Sequence, residues 1–306
     1  MPAPAQAEAE LLGQVTVVTV TYNSAHCLPA LGEGLRGVPH VVVVDNGSGD
    51  GSPEAAARHL PQARRIALGR NLGYGAANNA GIAEARTPYV LLLNPDCLVT
   101  AAQVAALVAG AHEWPDAAMW VPQIVGGDGR PDVNYSWPRH AWTPRTGGAD
   151  GPLCVGYACA AALLIDRARM APLGFFDTRF FLYYEDEDLC LRAFEARAPI
   201  VVLPQVRIGH LSRGSVRGRR PHAAEYWRGW HHAQSKIRFA AKHFGPAAGE
   251  RLLDRTLARA WMQVAARLLL PSPRMLARAW GRLQGLRALR RGRGGLAGPD
   301  AGAPRA

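Results

Sequence analysis

Two short runs of β-branched residues limit most strongly what this chain can fold into. Val15–Val20 (VTVVTV) and Val41–Val44 (VVVV) read as strands buried on both faces. That is the environment of a parallel sheet covered by helices. Each run ends in a polar turn: Thr21-Tyr22-Asn23-Ser24 after the first, and the acidic, Gly/Ser-rich 45–52 after the second. Between and after them the spacing predicts a helix over Ala25–Gly37 and another over Pro53–Leu60, with Ser52 as its cap and Pro53 at its first position. A weaker strand at Arg65–Leu68, a helix at Ala76–Arg86 and a strand at Tyr89–Leu93 (YVLLL) complete the rhythm. Strand and helix in alternation make an α/β fold with a doubly wound, mostly parallel sheet flanked by helices. Ligands of such sheets bind outside the carboxyl ends of the strands, where the polar turns fall.

Further along, a helix is predicted over Ala101–Trp114, a strand over Met119–Val125, and a long loop region over 126–152. Val155–Ile165 reads as a strand, Asp166–Leu173 as a short helix, Glu185–Ala196 as a helix and Ile200–Leu203 as the final strand. Residues 223–244, 250–270 and 273–290 read as helices. The Ala/Pro/Gly-rich ends read as unstructured.

Charge is distributed unevenly. The net charge is +11, yet residues 207–306 hold 21 Lys+Arg against 4 Asp+Glu, and residues 1–206 hold 14 against 20. The acidic part is expected to hold metal and chemistry, and the basic part to meet something anionic. Five cysteines with no CxxC spacing suit reduced thiols. No basic start followed by an apolar run marks a secretory signal. No apolar run reaches the roughly 20 residues that span a bilayer. The expected location is the cytoplasm, with peripheral contact at the inner face of the plasma membrane as a further expectation.

Five polar segments carry the chemistry. Asp45, at a strand end before a Gly/Ser-rich turn, can accept from a base or a ribose hydroxyl, though helix capping and tight-turn chemistry use the same residues. The loop Arg70–Asn79 (RNLGYGAANN) can bring backbone amides to an anion or a sugar, and a plain turn has the same composition. Asn94-Pro95-Asp96 can hold Mg2+ or Mn2+ through oxygen, or form an Asx turn with a helix cap. Glu185-Asp186-Glu187-Asp188 opens a helix whose dipole eases the crowding, and one of these acids facing a cleft can act as a general base. The entry Phe180–Tyr184 is too apolar for an ordinary solvated helix start. His210 lies just past the final predicted strand, where an imidazole can complete a metal shell. The other histidines, His231 and His232 included, read as helix-surface residues.

Together these segments resemble glycosyltransferase family 2, the inverting GT-A enzymes, and most of all its rhamnosyltransferase-like branch. The matching runs are Val17–Ser24, Val43–Ser52, Asn71–Gly81, Leu92–Asp96 and Gly174–Arg192, followed by His210, in order over about residues 14–215. The resemblance implies that Thr21, Tyr22 and Asp45 bind the nucleoside, with Asn71 and Gly73 lining its pocket. It makes Asp96 the metal-binding acid of an Asp-x-Asp motif, Asp186 the catalytic base supported by Glu185 and Asp188, and His210 a ligand of metal or diphosphate. The implied partners are a nucleoside-diphosphate sugar, dTDP-rhamnose in this branch, and a glycan or lipid-linked glycan acceptor in surface-polysaccharide synthesis. The implied cofactor is a divalent metal, Mg2+ or Mn2+. Two positions depart from the pattern: Asn94 replaces the first acid of Asp-x-Asp, and Ala158-Cys159-Ala160-Ala161 lacks the usual glycine.

On this reading, residues 1–12 are a disordered start and 13–125 a nucleotide-sugar-binding half. Residues 126–222 form an acceptor and catalytic-base half of the same domain, 223–290 basic helices, and 291–306 a disordered tail. Arginines from Arg251 to Arg293 punctuate helices bearing Leu252, Leu253, Leu257, Trp261, Val264 and Leu268, which reads as a basic amphipathic surface for a membrane face. A solvated helix face or a helical dimer contact fits the same pattern. A nucleic-acid-binding protein is the rival class, supported by the basic tail with Trp227 and Trp230, but it leaves the acidic strand-end segments unused. A binding protein without catalysis would not need Asp96, Asp186 and His210. A nucleotidyltransferase would want a Gly-rich basic loop after the first strand, and residues 21–28 offer none.

Overall fold

Each predicted βαβ step closes onto one sheet. The computed structural model describes residues 4–137, 147–211, 221–269 and 272–292. These form two compact units, one from residues 4–176 with 189–211 and the other from 177–188 with 221–292.

The first unit opens with α1 (Pro4–Leu12), where the sequence reading expected no structure. Its Ala, Gln and Glu residues are strong helix formers. Leu12 is buried, with Leu11 packed beside it in the same core cluster. Then come β1 (Val15–Thr21), α2 (Leu28–Gly34), β2 (Val41–Asp45), α3 (Ser52–His59), β3 (Arg64–Ala67), α4 (Tyr74–Glu84) and β4 (Tyr89–Leu93). A short β5 (Cys97–Leu98) precedes α5 (Ala101–Glu113), which starts with a Thr100/Gln103 capping box. Beyond it lie β6 (Met119–Val125), β7 (Tyr135–Ser136), β8 (Leu153–Val155), β9 (Tyr157–Ala158), β10 (Ala162–Asp166) and α6 (Arg167–Met170). The helix α7 (Glu185–Glu195) has its first turn in the second unit and the rest in the first. β11 (Ile200–His210) ends the sheet.

The main sheet runs β3-β2-β1-β4-β10-β6-β11-β5, with β8 also on β11. The β3-β2-β1-β4 steps and β6-β11 are parallel, whereas β10, β5 and β8 pair antiparallel. β1 and β2 are buried at every position, as their all-β-branched runs require. Core clusters lie on both faces of the sheet: Val17, Leu91 and Leu107 belong to one, and Val18, Leu92 and Leu189 to the other.

Three sequence expectations change. The single strand expected over Val155–Ile165 is broken into β8, β9 and β10, because Gly156 and the 159–161 stretch leave the ladder. The final strand runs past Leu203 to His210 through a register shift between Leu203 and Arg207. Gly51, in a left-handed conformation, precedes α3, and Ser52 is the helix's first residue rather than its cap.

The second unit contains α8 (Pro221–Phe244), α9 (Pro246–Leu269) and α10 (Pro273–Arg291). Their shared core is Ile237, Leu253, Leu257, Leu283 and Leu286 with smaller residues. α8 and α10 touch backbone to backbone. A Cβ on Gly281 would sit 1.9 Å from the Tyr226 carbonyl oxygen, and one on Gly229 2.1 Å from that of Arg278. No helix among the described residues is long and apolar enough to cross a membrane. The expected tail lies outside the described residues beyond Gly292.

Candidate active site

The parallel order β2-β1-β4 sets the strand-end turns side by side. Register pairs Thr21 with Asp45 directly. The buried Thr21 hydroxyl donates to Asp45 Oδ1 at 3.0 Å, while Asp45 Oδ2 accepts from the Gly47 and Ser48 amides at 3.2 and 3.1 Å. Thr21 is fully buried. Tyr22 is half-exposed and follows it.

The two turns are laced together. Asn23, with φ of 54°, donates its amide to Ser48 Oγ and accepts from the Gly49 amide, and the Ser24 amide donates to Ser52 Oγ at 2.9 Å. Asp50 receives the Ser52 hydroxyl at 2.5 Å and the Ala25 amide at 3.0 Å. Partial burial acts to raise its pKa, but these hydrogen bonds outweigh it and leave the carboxyl below its ordinary value.

The loop before α4 joins the same edge through a residue that the sequence reading passed over. Asn46 is buried and donates to Asn71 Oδ1 at 3.0 Å and to the Gly73 carbonyl at 3.3 Å, while accepting from the Leu72 amide at 2.8 Å. Asn71 in turn accepts from the Gly73 amide at 2.9 Å. Gly47 makes this approach possible: its φ is +79°, and a Cβ there would sit 2.7 Å from the Arg70 backbone. Gly73 has φ of 93° at the start of α4. Asn46 is detectable only as an Asx residue in a turn, since its partners lie 25 or more positions away.

Asp96 is buried just before β5. Antiparallel pairing of β5 with β11 sets His210 opposite Cys97, and its Nε2 lies 3.4 Å from Asp96 Oδ1. His210 is thus the last residue of a strand rather than a residue past one. Asn94, the departure from Asp-x-Asp, is 3.1 Å from the Tyr74 hydroxyl, which also lies 2.8 Å from the Ala160 carbonyl oxygen. Ala161 accepts the Asn94 amide at 2.8 Å. The glycine-free 158–161 stretch therefore serves the Asn94–Asp96 turn through its carbonyls. Tyr74 is a second residue that the sequence reading did not single out.

Asp96 and His210 bring together a carboxylate oxygen and an imidazole nitrogen, two groups able to donate to a divalent ion. No group of three or more His, Cys, Asp or Glu suited to a metal occurs among the described residues. The pair would fit a divalent ion that is held by few protein groups.

The acids of α7 sit in the second unit through residue 188. Their entry is strained: Tyr183 and Tyr184, consecutive and bulky, have φ of 67° and 69°. Each such residue costs roughly 1–3 kcal/mol and persists where packing over-determines it. Here α8 supplies the packing. Phe181 stacks on His231 at 4.2 Å, both tyrosine rings pack on His232 at 5.4 and 5.6 Å, and Tyr184 packs on Phe239 at 5.4 Å. Ser235 donates its hydroxyl to the Leu182 carbonyl at 3.0 Å. His231 is buried, and burial followed by nearby Arg282, Arg278 and Lys236 lowers His232 to about 4. The expectation of surface histidines is therefore corrected: the ring stripe of α8 faces the 181–184 segment.

The acids differ in surroundings. Asp188 is fully buried, 2.5 Å from Lys242 Nζ and 2.7 Å from His243 Nε2. Lys242 also bonds Asp177 at 2.7 Å. Burial opposes ionisation of Asp177, but Arg179 and Lys242 hold it well below the carboxylate range. Glu185 is buried. That burial, then the charges of Asp186 and Glu187, push its carboxyl well above its ordinary value. Asp186 is half-exposed and caps the Glu187 amide at 3.0 Å.

The chain has relatives among known proteins. Residues 16–168 match the family described as Glycosyl transferase family 2, and the chain belongs to that family. It is a glycosyltransferase that takes a nucleotide-sugar donor. It is 31% identical, over 75% of its length and 85% of the relative's, to an N-acetylglucosaminyl-diphospho-decaprenol L-rhamnosyltransferase of Mycobacterium tuberculosis. It is 28% identical, over 60% of its length and 62% of the relative's, to a low-salt glycan biosynthesis hexosyltransferase of Haloferax volcanii. In fold it is similar to a mannosyltransferase of Pyrobaculum calidifontis solved with GDP-Man and Mn2+: TM-score 0.53, 17% identity, covering 90% of this chain and 86% of that one.

Proposed function

We propose that this transferase moves L-rhamnose from dTDP-rhamnose to a hydroxyl of a lipid-linked glycan, with inversion and with Mn2+ bound at Asp96 and His210. The observation that carries the reading is the convergence of the Thr21–Asp45, Asn46–Asn71 and Asp96–His210 groups on strand-end turns of one sheet. The choice of rhamnose and of a diphospho-lipid acceptor is supported by the mycobacterial relative's name.

The roles follow from the chemistry of each group. Asp45 and the half-exposed Tyr22 take the nucleoside, and the amides at Asn71–Gly73 line its pocket. A bound divalent ion supplies charge neutralisation for the leaving diphosphate. The choice of Mn2+ is supported by the Pyrobaculum mannosyltransferase, which was solved with that ion. Asp186, the half-exposed acid, accepts the proton of the attacking acceptor hydroxyl. A single displacement then inverts the anomeric carbon. Glu185 supports this role: with its pKa pushed up by burial, it adds less like-charge repulsion beside Asp186. Asp188 supports it at a distance by anchoring the turn to Lys242 and His243.

Contact with the cytoplasmic membrane face is part of the same proposal. Trp261, Met262, Leu268 and Leu269 of α9 are exposed, with Arg251, Arg255 and Arg259 also exposed on that helix. By contrast, Arg274 and Arg278 pair with the buried Glu225, so the basic surface is narrower than the sequence pattern suggested.

A donor screen tests the reading. Purified protein is incubated with nucleotide sugars and Mn2+, Mg2+ or EDTA, with nucleotide binding measured alongside. Expected are metal-dependent nucleoside diphosphate release from dTDP-rhamnose and a loss of about 100-fold or more in Asp186→Asn, with donor binding kept. Wild-type turnover in that variant removes Asp186 from the base role. Failure to bind any donor refutes the proposal.

A further inference from the structure

Three arginines of the second unit share one carboxylate, and a fourth continues their row. Arg274, Arg278 and Arg282 recur every four residues along α10 and so lie along one side of it. Arg228 joins them from α8. The buried Glu225 accepts from Arg274 Nη2 at 2.9 Å and Nε at 3.1 Å and from Arg228 at 3.1 Å, with Arg278 at 3.9 Å. Arg282 donates to the neutral amide of Gln263 at 2.8 Å. The Nε of Arg278 is buried and has no hydrogen-bond partner among the described residues. The glycine contacts of α8 with α10 hold this row in place, since Gly229 seats directly against the Arg278 backbone.

Such crowding is expensive unless an anion completes it. A guanidinium presents a fork of donors that matches phosphate oxygens. The neighbourhood registers the excess: burial, then Arg278, lowers the pKa of Arg282, and His232 stays neutral beside Arg282, Arg278 and Lys236. Tyr183 and Tyr184, packed on His232, add hydroxyl-bearing rings beside the row.

We propose that Arg278 and Arg282, with His232 at their edge, form a binding site for a diphosphate group, the diphosphate of the lipid-linked acceptor. The assignment to the acceptor rests on the function proposed above. The site itself stands on the arginine row.

The intact protein is titrated by NMR, following the His232 ring and using His232→Gln to identify its signal. Inorganic pyrophosphate is expected to raise the His232 midpoint from about 4 by roughly one pH unit or more, because an anion cancels the cations that depress it. The same addition to Arg282→Gln should move it far less. A midpoint that pyrophosphate leaves unchanged at millimolar concentration overturns the site. Geranyl diphosphate and dTDP then separate the two sources of diphosphate. A shift with geranyl diphosphate but not with dTDP supports the acceptor assignment, and a shift with dTDP alone overturns it. In turnover, Arg282→Gln should raise KM for a lipid-diphosphate acceptor about tenfold and leave dTDP affinity unchanged. Kept dTDP affinity with a silent His232 defeats this site alone. Absent nucleotide binding in the wild type defeats the transferase reading instead.

Discussion

The strand-end turns of the first unit and the acid-bearing turn of the second hold carboxylates by opposite means. Asp45 and Asp50 are fixed by neighbours: amides two or three residues ahead, a hydroxyl on the paired strand, and the facing turn. Asp188 and the strained entry to Glu185 are fixed by α8, whose contacting residues lie 48 to 55 positions downstream (His232 to Tyr184 is 48, His243 to Asp188 is 55). Backbone hydrogen bonds position an acid without demanding much of the rest of the chain. Packing can hold a backbone that would not adopt its shape alone, and two successive tyrosines at positive φ need that help.

The difference can be broken most forcefully at Asp188. Removing it leaves Lys242 with Asp177 and takes the buried carboxylate from His243, and losing one partner of a buried ion pair costs at most about 3–5 kcal/mol. Asp188→Ala should therefore lower the urea midpoint substantially and weaken activity, while nucleotide affinity changes little. An unchanged midpoint would mean that the α8 contacts do not hold the turn.

A smaller effect is expected at Gly47. Alanine there meets the Arg70 backbone at 2.7 Å in a left-handed conformation. The expected cost is about 1–2 kcal/mol of stability, with weaker donor binding and unchanged acceptor KM. If calorimetry finds donor affinity intact, the Asn46–Asn71 link does not shape the nucleotide pocket.

A third effect concerns pH. Glu185 has a raised folded-state pKa, so the folded chain holds a proton that the unfolded chain has released. Its contribution is full below the unfolded value of about 4.3 and is lost as pH rises toward the folded pKa, with a slope of at most about 1.4 kcal/mol per pH unit. Glu185→Gln should flatten that decline in urea unfolding series from pH 5 to 8 and leave the variant more stable at the alkaline end. A wild-type curve that rises with pH, unaltered by the substitution, would contradict a buried neutral Glu185.

Much of this was legible before any coordinates. Val15–Val20 and Val41–Val44 could be little else than strands covered on both faces, and the polar residues after them had to gather at the strands' carboxyl ends. The three C-terminal helices were plain from periodicity, because an amphipathic pattern is local. Composition misled at residues 4–12, where helix-forming Ala and Glu were read as disorder although Leu11 and Leu12 had a core to reach.

The sequence alone determined the strands, their order of appearance, the helix periods and the chemical identity of the site acids, since each depends on near neighbours. Tertiary structure alone decided what surrounds each acid. Asp188 is consumed by Lys242 and His243, Glu185 is driven toward neutrality, Asp186 stays half-exposed, and His210 meets Asp96 because β11 runs on to pair with β5. Burial and pairing partners come from residues tens of positions away, and a carboxylate's charge state follows its surroundings rather than its letter in the chain.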